Sequence, residues 1–313
     1  MVGKILVNGQ WSDPPPSGDG RFHRPDTRFH DRVSADGSTG YRAEPGRYHL
    51  YVSLACPWAH RTLIVRKLKE LEDVVSVSVV DPLMGEHSWH FSDGPGCTPD
   101  PVFGADYLYE VYLRARPDFS GVVTVPALFD KQTRTLVNNE SAEILRMLNS
   151  EFDEWGHADR DFYPEPLRAE IDAFNETVYE YVNNGVYKAG FAQTQAAYEE
   201  AYDCLFTTLD RLEAHLEENR FLVGDRITEA DWRLFTTLVR FDPVYHYHFK
   251  CNRHRLVDFP NLSRYAHELY EVPGVAETVN FDHIKRHYYG SHRHLNPSGI
   301  VPKGPAEDVT LSH

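Results

Sequence analysis

The sequence predicts an α/β half followed by an all-helical half, and three observations carry that expectation. Tyr48-His49-Leu50-Tyr51-Val52-Ser53 is alternating, aromatic and β-branched, as a strand requires. Directly after it, Ala59, Leu63, Ile64, Leu68 and Leu71 recur with the i, i+4, i+5 rhythm of an amphipathic helix. From Pro164 onward the pattern is helical throughout. The expected domains are residues 1–155, an N-terminal arm plus the α/β part, and residues 156–313, helices ending in a coil.

Composition agrees and removes several function classes. A chain of 313 residues is long enough for two cores, and 41% hydrophobic with 13% aromatic residues is globular. No run approaches the 18 or so uninterrupted apolar residues of a membrane span. The opening MVGKILVNGQW lacks the apolar core and cleavage site of a signal peptide, so a cytoplasmic location is expected. A net charge of −15 argues against nucleic acid and against anionic membranes as partners. Four widely spaced cysteines, Cys56, Cys97, Cys204 and Cys251, are too few for a disulfide scaffold.

Taken in order, residues 1–46 are rich in Pro, Gly, Asp and Arg, with Pro14-Pro15-Pro16 among their turns. They read as an extended arm across the first domain, anchored by Trp11, Phe22 and Phe29. The strand over 48–53 then meets a helix at Cys56-Pro57, with proline in the position best tolerated in a first turn. A cysteine there feels unpaired N–H groups and the positive helix pole, which favour thiolate and can bring its pKa from about 8.5 into the range of about 3.5–7.5. Strand, Cys-Pro-x-x, helix is the active-site turn of the thioredoxin fold. Ala59 replaces the second cysteine, so the second thiol must come from elsewhere, most simply from a small soluble thiol. The competing reading of a lone cysteine is a buried structural one.

Val74 to Val80 is the second parallel strand of a βαβ unit. Residues 82–120 are long for a connection, which points to a use; within them Tyr107 to Arg116 fits a short helix, and Trp89 stands isolated among polar residues. Val122-Val123-Thr124-Val125-Pro126-Ala127-Leu128-Phe129-Asp130 is the next strand, and Arg134 to Val137 its hairpin partner. Asn138-Asn139-Glu140-Ser141 opens a helix through Ile144, Leu145 and Leu148. Glu140 and Ser141 at that N-terminus suit either an ordinary cap or an anion site.

The second half carries a stripe over Leu167, Ile171, Phe174, Val178 and Val182, stopped by Asn183-Asn184-Gly185. A second stripe runs from Tyr198 to Leu216. Thr228-Glu229-Ala230-Asp231 has capping-box form, with Asp in place of the usual Glu or Gln, before Trp232, Phe235 and Leu238. Two further helices are expected at about 262–270 and 281–289, with coil from His292. His246, His248, Cys251 and His254 are metal-ligand types, but their spacing fits no regular zinc module, so no metal is expected.

Cys56-Pro57-Trp58-Ala59-His60-Arg61 resembles the nucleophile motif of the Xi-class glutathione transferases, the glutathionyl-hydroquinone reductases. The likeness extends over roughly residues 22–302, at VTVP, NNES, NNGVYKAGF, TEADWRL, RFDPVY, HFKC, VNFDH and Asn296-Pro297-Ser298-Gly299. It implies a thioredoxin-like domain joined to the all-α glutathione-transferase domain, with glutathione as co-substrate, a quinone-derived small molecule as substrate, and a homodimer. By the same resemblance Cys56 is the nucleophile and Trp89 covers the glutathione site. Val122, Val123, Thr124, Val125 and Pro126, the Val-Pro bond being cis, line that site, and Glu140 and Ser141 hold the γ-glutamyl group. Tyr187 is implied as proton donor or acceptor. Tyr245 and Tyr288 are implied as hydrogen-bond donors near the sulfur and the substrate oxygen. Two departures stand out: Val122 where a basic residue is expected beside the glutathione carboxylate, and Phe129 in place of tryptophan. The alternatives are an Omega-like thioltransferase or dehydroascorbate reductase, which needs the cysteine but not the tyrosines, and a non-catalytic thioredoxin-like scaffold.

Overall fold

The stretch from Arg47 to Leu71 folds as its pattern dictates, and the first domain is assembled on it. In the computed structural model, which describes residues 4–14 and 18–305, the described residues group into two compact units. One is built from Met1–Pro15, Pro25–Arg160 and Glu277–Ser291, the other from Pro16–Arg24, Asp161–Ala276 and His292–His313, counting only described residues in each. Of the proline run, Pro15 and Pro16 lie outside the described residues, as does the end of the C-terminal coil beyond Pro305.

The first unit opens with a hairpin, β1 (Ile5–Val7) and β2 (Gln10–Ser12). Its two-residue turn is Asn8-Gly9, both at positive φ (50° and 76°), the tight turn that matches strand twist. A Cβ on Gly9 would meet the Pro117 carbonyl oxygen at 2.4 Å, so glycine is required there on two counts. Leu6 is fully buried and exchanges both backbone hydrogen bonds with Gly121 at 2.9 Å. Two short strands, β3 (Val33–Ser34) and β4 (Tyr41–Arg42), pair in parallel further along the arm.

The main sheet has strand order β6-β5-β7-β8. Its strands are β5 (Tyr48–Val52), β6 (Ser76–Val79), β7 (Ala127–Asp130) and β8 (Thr135–Asn138). β5 runs parallel to β6 and antiparallel to β7, and β7 antiparallel to β8, which is the mixed thioredoxin-like arrangement. Between β5 and β6 lies α1 (Pro57–Leu68), which packs on α3 (Ser141–Ser150). A buried two-point ion pair ties one end of the two central strands: Arg47 Nε and Nη2 donate to Asp130 Oδ1 and Oδ2 at 2.9 and 2.7 Å. The long connection holds α2 (Leu108–Ala115) and is ordered by the buried Asp100, which accepts from Tyr51 Oη and from the amides of Val102, Phe103 and Ala105 at 2.8–3.1 Å.

The strand expected over Val122–Asp130 begins only at Ala127. Pro126 has no N–H to give a ladder. The Thr124 carbonyl is taken by Tyr112 Oη at 2.7 Å, and the Thr124 amide donates back to that oxygen at 3.3 Å.

The second unit holds α4 (Arg168–Val178), α5 (Gly185–Gly190), α6 (Gln195–Glu218), α7 (Glu229–Leu238) and α8 (Pro260–Tyr270); α9 (Phe281–Ser291) belongs to the first. Every residue of α7 is buried, so it is the helix the others wrap. From α6, Leu205, Leu209, Leu212 and Leu216 face inward, each burial stabilising by about 1.5–3 kcal/mol. The stop expected at Asn183-Asn184-Gly185 is instead a restart. A π-helical turn spans Tyr179–Asn183, the Asn184 amide donates to the Tyr179 carbonyl at 2.9 Å, and α5 begins at Gly185. The arm is also corrected in part. Trp11 and Phe29 sit in the first unit, against Tyr109 and Tyr112, but Phe22 sits in the second, against Tyr187 and Phe191.

Candidate active site

Cys56 is the N-cap residue of α1, reached from β5 through Ser53, whose carbonyl accepts the Cys56 amide at 3.1 Å. Pro57 fills the first helical position, and the Cys56 carbonyl accepts the first intrahelical bond, from His60 at 3.0 Å. The half-buried thiol points across to the next segment of chain and donates to the Val125 carbonyl at 3.4 Å. The Val125-Pro126 peptide is cis, as expected. No carboxylate occupies the first turn of α1 to offset the positive pole of the helix at the sulfur. Ala59, where a second cysteine would stand, is fully buried.

Glu140 caps α3, its Oε1 accepting the Ala142 amide at 3.1 Å and the Ser141 hydroxyl at 3.4 Å. Arg61 joins this end of α3 to the cysteine turn. Its guanidinium is buried, donates to Ser141 Oγ at 3.4 Å and lies 4.5 Å over the Trp58 ring. Asn139 binds a third segment: its Nδ2 donates to Thr124 Oγ1 at 3.1 Å, while its Oδ1 accepts the amides of Arg28 and Phe29 at 3.2 and 3.0 Å. Thus Cys56, Thr124, Val125, Glu140 and Ser141 are held by one network of the first unit. Val123, Val125 and Pro126 are buried, whereas Val122 and Thr124 are half-buried.

Trp89 is 6% exposed and stacked on His287, ring centroids 4.9 Å apart, and His287 Nδ1 lies 2.8 Å from the Pro82 carbonyl. His287 precedes Tyr288, itself 1% exposed, so α9 brings the expected glutathione cover and one expected tyrosine together. The other two meet within the second unit. Tyr187 on α5 and Tyr245, in a second π-helical turn over Phe241–Tyr245, have ring centroids 6.0 Å apart, with Phe249 against both at 5.4 and 5.5 Å.

The remaining cysteines differ in kind. Burial pushes the Cys251 thiol far up, and burial followed by the Asp81 carboxylate raises Cys97; Cys204 is exposed. Of the histidine cluster, His248 faces His292 at 3.3 Å, and among the described residues no three His, Cys, Asp or Glu side chains converge on a metal position. Sequence reasoning missed Arg61, Tyr112, Asn139 and His287, which orient the site. A local hint was Asn139 beside a capping glutamate; Tyr112, His287 and the Ser141 contact of Arg61 act through partners distant in the chain.

The glutathione S-transferase N-terminal domain model matches residues 55–151, and the glutathione S-transferase C-terminal domain model matches residues 195–268. The chain is 52% identical over 318 aligned residues to glutathionyl-hydroquinone reductase YqjG of Escherichia coli (strain K12), covering 98% of this chain and 97% of that one. It is 54% identical over 308 residues to glutathionyl-hydroquinone reductase PcpF of Sphingobium chlorophenolicum, covering 97% of each. Among solved structures, a Xi class glutathione transferase from Natrialba magadii superposes with TM-score 0.92 at 48% identity, covering 97% of this chain and 94% of that one. The glutathione-bound structure of YqjG superposes with TM-score 0.90 at 51% identity, covering 98% and 97%.

Proposed function

The chain belongs to the glutathione S-transferase family, in its Xi class with the glutathionyl-hydroquinone reductases, and from that premise we propose that it is a glutathione-dependent reductase of glutathionyl-hydroquinones. The observation that carries the chemistry is the Cys56 thiol at the positive pole of α1, 3.4 Å from the Val125 carbonyl and without a second cysteine at Ala59.

The Cys56 thiolate attacks the glutathionyl sulfur of the aryl thioether. A Cys56–glutathione disulfide forms, the aryl carbon–sulfur bond breaks, and the electron pair passes to the ring carbon. Tyr187 gives that carbon a proton and is reprotonated from solvent, so no free carbanion has to leave. A second glutathione thiolate attacks the mixed disulfide, releasing oxidised glutathione and the Cys56 thiolate. In sum the aryl carbon gains two electrons, one given up by each of the two glutathionyl sulfurs that end in the disulfide. Glu140 and Ser141 are assigned to the γ-glutamyl end of glutathione, Val122 to Pro126 to its backbone and Trp89 to its cover. Tyr245 and Tyr288 are assigned as donors to the sulfur and the substrate oxygen. Residues 1–155 are assigned to the thiol and 156–313 to the quinone-derived substrate. We further place the protein in the cytoplasm as a homodimer; among the described residues no helix is long and apolar enough to cross a membrane.

Incubation with a glutathionyl-hydroquinone and excess glutathione should release free hydroquinone and an equal amount of oxidised glutathione. Iodoacetamide at about pH 6 should label Cys56, since a thiolate survives there only at such a position. Reduction of mixed disulfides or dehydroascorbate without release of hydroquinone would move the assignment to an Omega-like thioltransferase. An unlabelled, inactive protein would leave a scaffold.

A further inference from the structure

The segment Gly18–Arg24 departs from the arm and belongs to the second unit, where it is fastened to the surroundings of one tyrosine. Phe22 stacks on Tyr187, ring centroids 6.2 Å apart at 28°, and lies tilted against Phe191 at 5.3 Å. Two residues on, the Arg24 guanidinium carbon lies 4.6 Å from the centroid of the Tyr187 ring. Its Nε donates to Asn184 Oδ1 at 2.5 Å, and Asn184 is a buried residue at the junction of the π-helical turn and α5. The cation is thus tied to the same helix start that presents Tyr187. Tyr245 and Phe249 also pack against the Tyr187 ring, centroids 6.0 and 5.4 Å away.

A cation over a phenol face is attracted by the ring quadrupole. It is attracted more strongly once the phenol has lost its proton, because a full negative charge then lies beneath it. An interaction that strengthens as the proton leaves lowers the barrier of that step instead of merely tightening the ground state. We infer that Arg24 is a positioning residue for the proton-donating step, holding the Tyr187 ring and stabilising the phenolate left behind. This rests on the proposed role of Tyr187. It gives the arm a use in the chemistry, since the arginine is contributed by a segment more than 150 residues away in the chain.

The test compares two substrates, a glutathionyl-hydroquinone and a small aliphatic mixed disulfide of glutathione, because only the first expels carbon and needs the proton. For the full chain carrying R24Q, the ratio of thioether to disulfide turnover should fall roughly 3- to 30-fold. R24K, which keeps the charge without the planar fork, should fall between wild type and R24Q. In a Y187F background, R24Q should lower the ratio no further, because the group it serves is already gone. Equal losses on both substrates in R24Q and R24K, or additive losses in the double variant, would show that Arg24 only anchors the arm. Y187F that lowers the ratio while R24Q and R24K leave it unchanged removes the inference alone. Y187F with equal losses on both substrates removes the role of Tyr187, and the inference with it.

Discussion

Two helices of this chain start in opposite ways. At α7 the N-terminus is closed. Asp231 Oδ2 accepts the Thr228 amide and hydroxyl at 2.7 and 3.0 Å, and Oδ1 accepts the Leu222 amide and Tyr265 hydroxyl at 3.0 and 2.8 Å. Glu229 adds a second carboxylate in the first turn, and Thr228 and Asp231 are fully buried. At α1 the cap residue is a cysteine whose side chain makes no cap bond, the first turn holds no acid, and proline simply removes one orphaned amide. The closed end adds stability to a core. The open end leaves the field of the helix to act on whatever anion arrives, here a sulfur. One device of backbone chemistry therefore serves structure in one unit and, in the proposed mechanism, reactivity in the other, and the neighbouring side chains decide which.

The sharpest way to break this contrast is Cys56→Ser. Turnover should vanish, because serine is not ionised at neutral pH and forms no mixed disulfide. Stability should hold or rise by up to about 1 kcal/mol, since serine is a preferred N-cap. A variant that lost stability instead, read from denaturant midpoints, would mean the open end was structural after all. Cys97, Cys204 and Cys251 should each tolerate serine without loss of turnover.

Asp231→Ala should do the reverse. It orphans buried donors on Thr228, Leu222 and Tyr265, which should cost about 3 kcal/mol or more. Turnover per folded molecule should remain, and a large drop in that quantity would couple the closed helix end to the chemistry.

A closed polar group inside the first unit provides a pH test. His49 on β5 sits between Ser76 Oγ and Ser78 Oγ at 2.8 and 2.9 Å, and burial lowers its pKa to about 4. The unfolded chain, with an ordinary histidine near 6.5, binds the proton more readily. This contribution to stability is therefore complete above about pH 6.5, is lost as pH falls towards 4, and is flat below that. The full change is of order 3 kcal/mol. His49→Gln should flatten that part of the profile of unfolding free energy against pH; an unchanged slope would place the proton uptake elsewhere.

The smallest effect is expected at Val122. Val122→Arg restores a charge where the resemblance expects one, worth about 0–1 kcal/mol as an exposed pair. KM for glutathione should fall by less than about tenfold, chiefly at low salt, with kcat unchanged. If γ-glutamylcysteine serves wild type better than glutathione and the substitution helps neither, the physiological thiol lacks the glycine carboxylate.

What was legible in the sequence follows the range of the forces involved. The Cys56 turn, the Thr228–Asp231 box and the Glu140 cap each depend on residues within four positions, and all three stand where expected. The Asn8-Gly9 hairpin was equally local, but its flanking strands are too short for a period to show. Tyr112, Asn139 and Arg61 could not be read, because their meaning lies in partners 12 to 111 residues away. Arg24 is the extreme case, a polar residue in an aperiodic arm whose ring partner lies in the opposite half of the chain.

The two π-helical turns, Tyr179–Asn183 and Phe241–Tyr245, carry a consequence for the lineage of this enzyme. Such a turn fits one residue more than an α-helix, as the bonds from Asn184 to Tyr179 and from His246 to Phe241 record. It works as an insertion absorbed without breaking the helix, and it rotates everything downstream by about 100°. Tyr187 follows one of these offsets and Tyr245 closes the other. Removing a single residue from Tyr179–Asn183 would restore a smooth helix and swing Tyr187 away from Tyr245 by more than a quarter turn. On the proposed role of Tyr187, a better helix would then be a worse enzyme, and a one-residue deletion there would cost activity before it cost the fold.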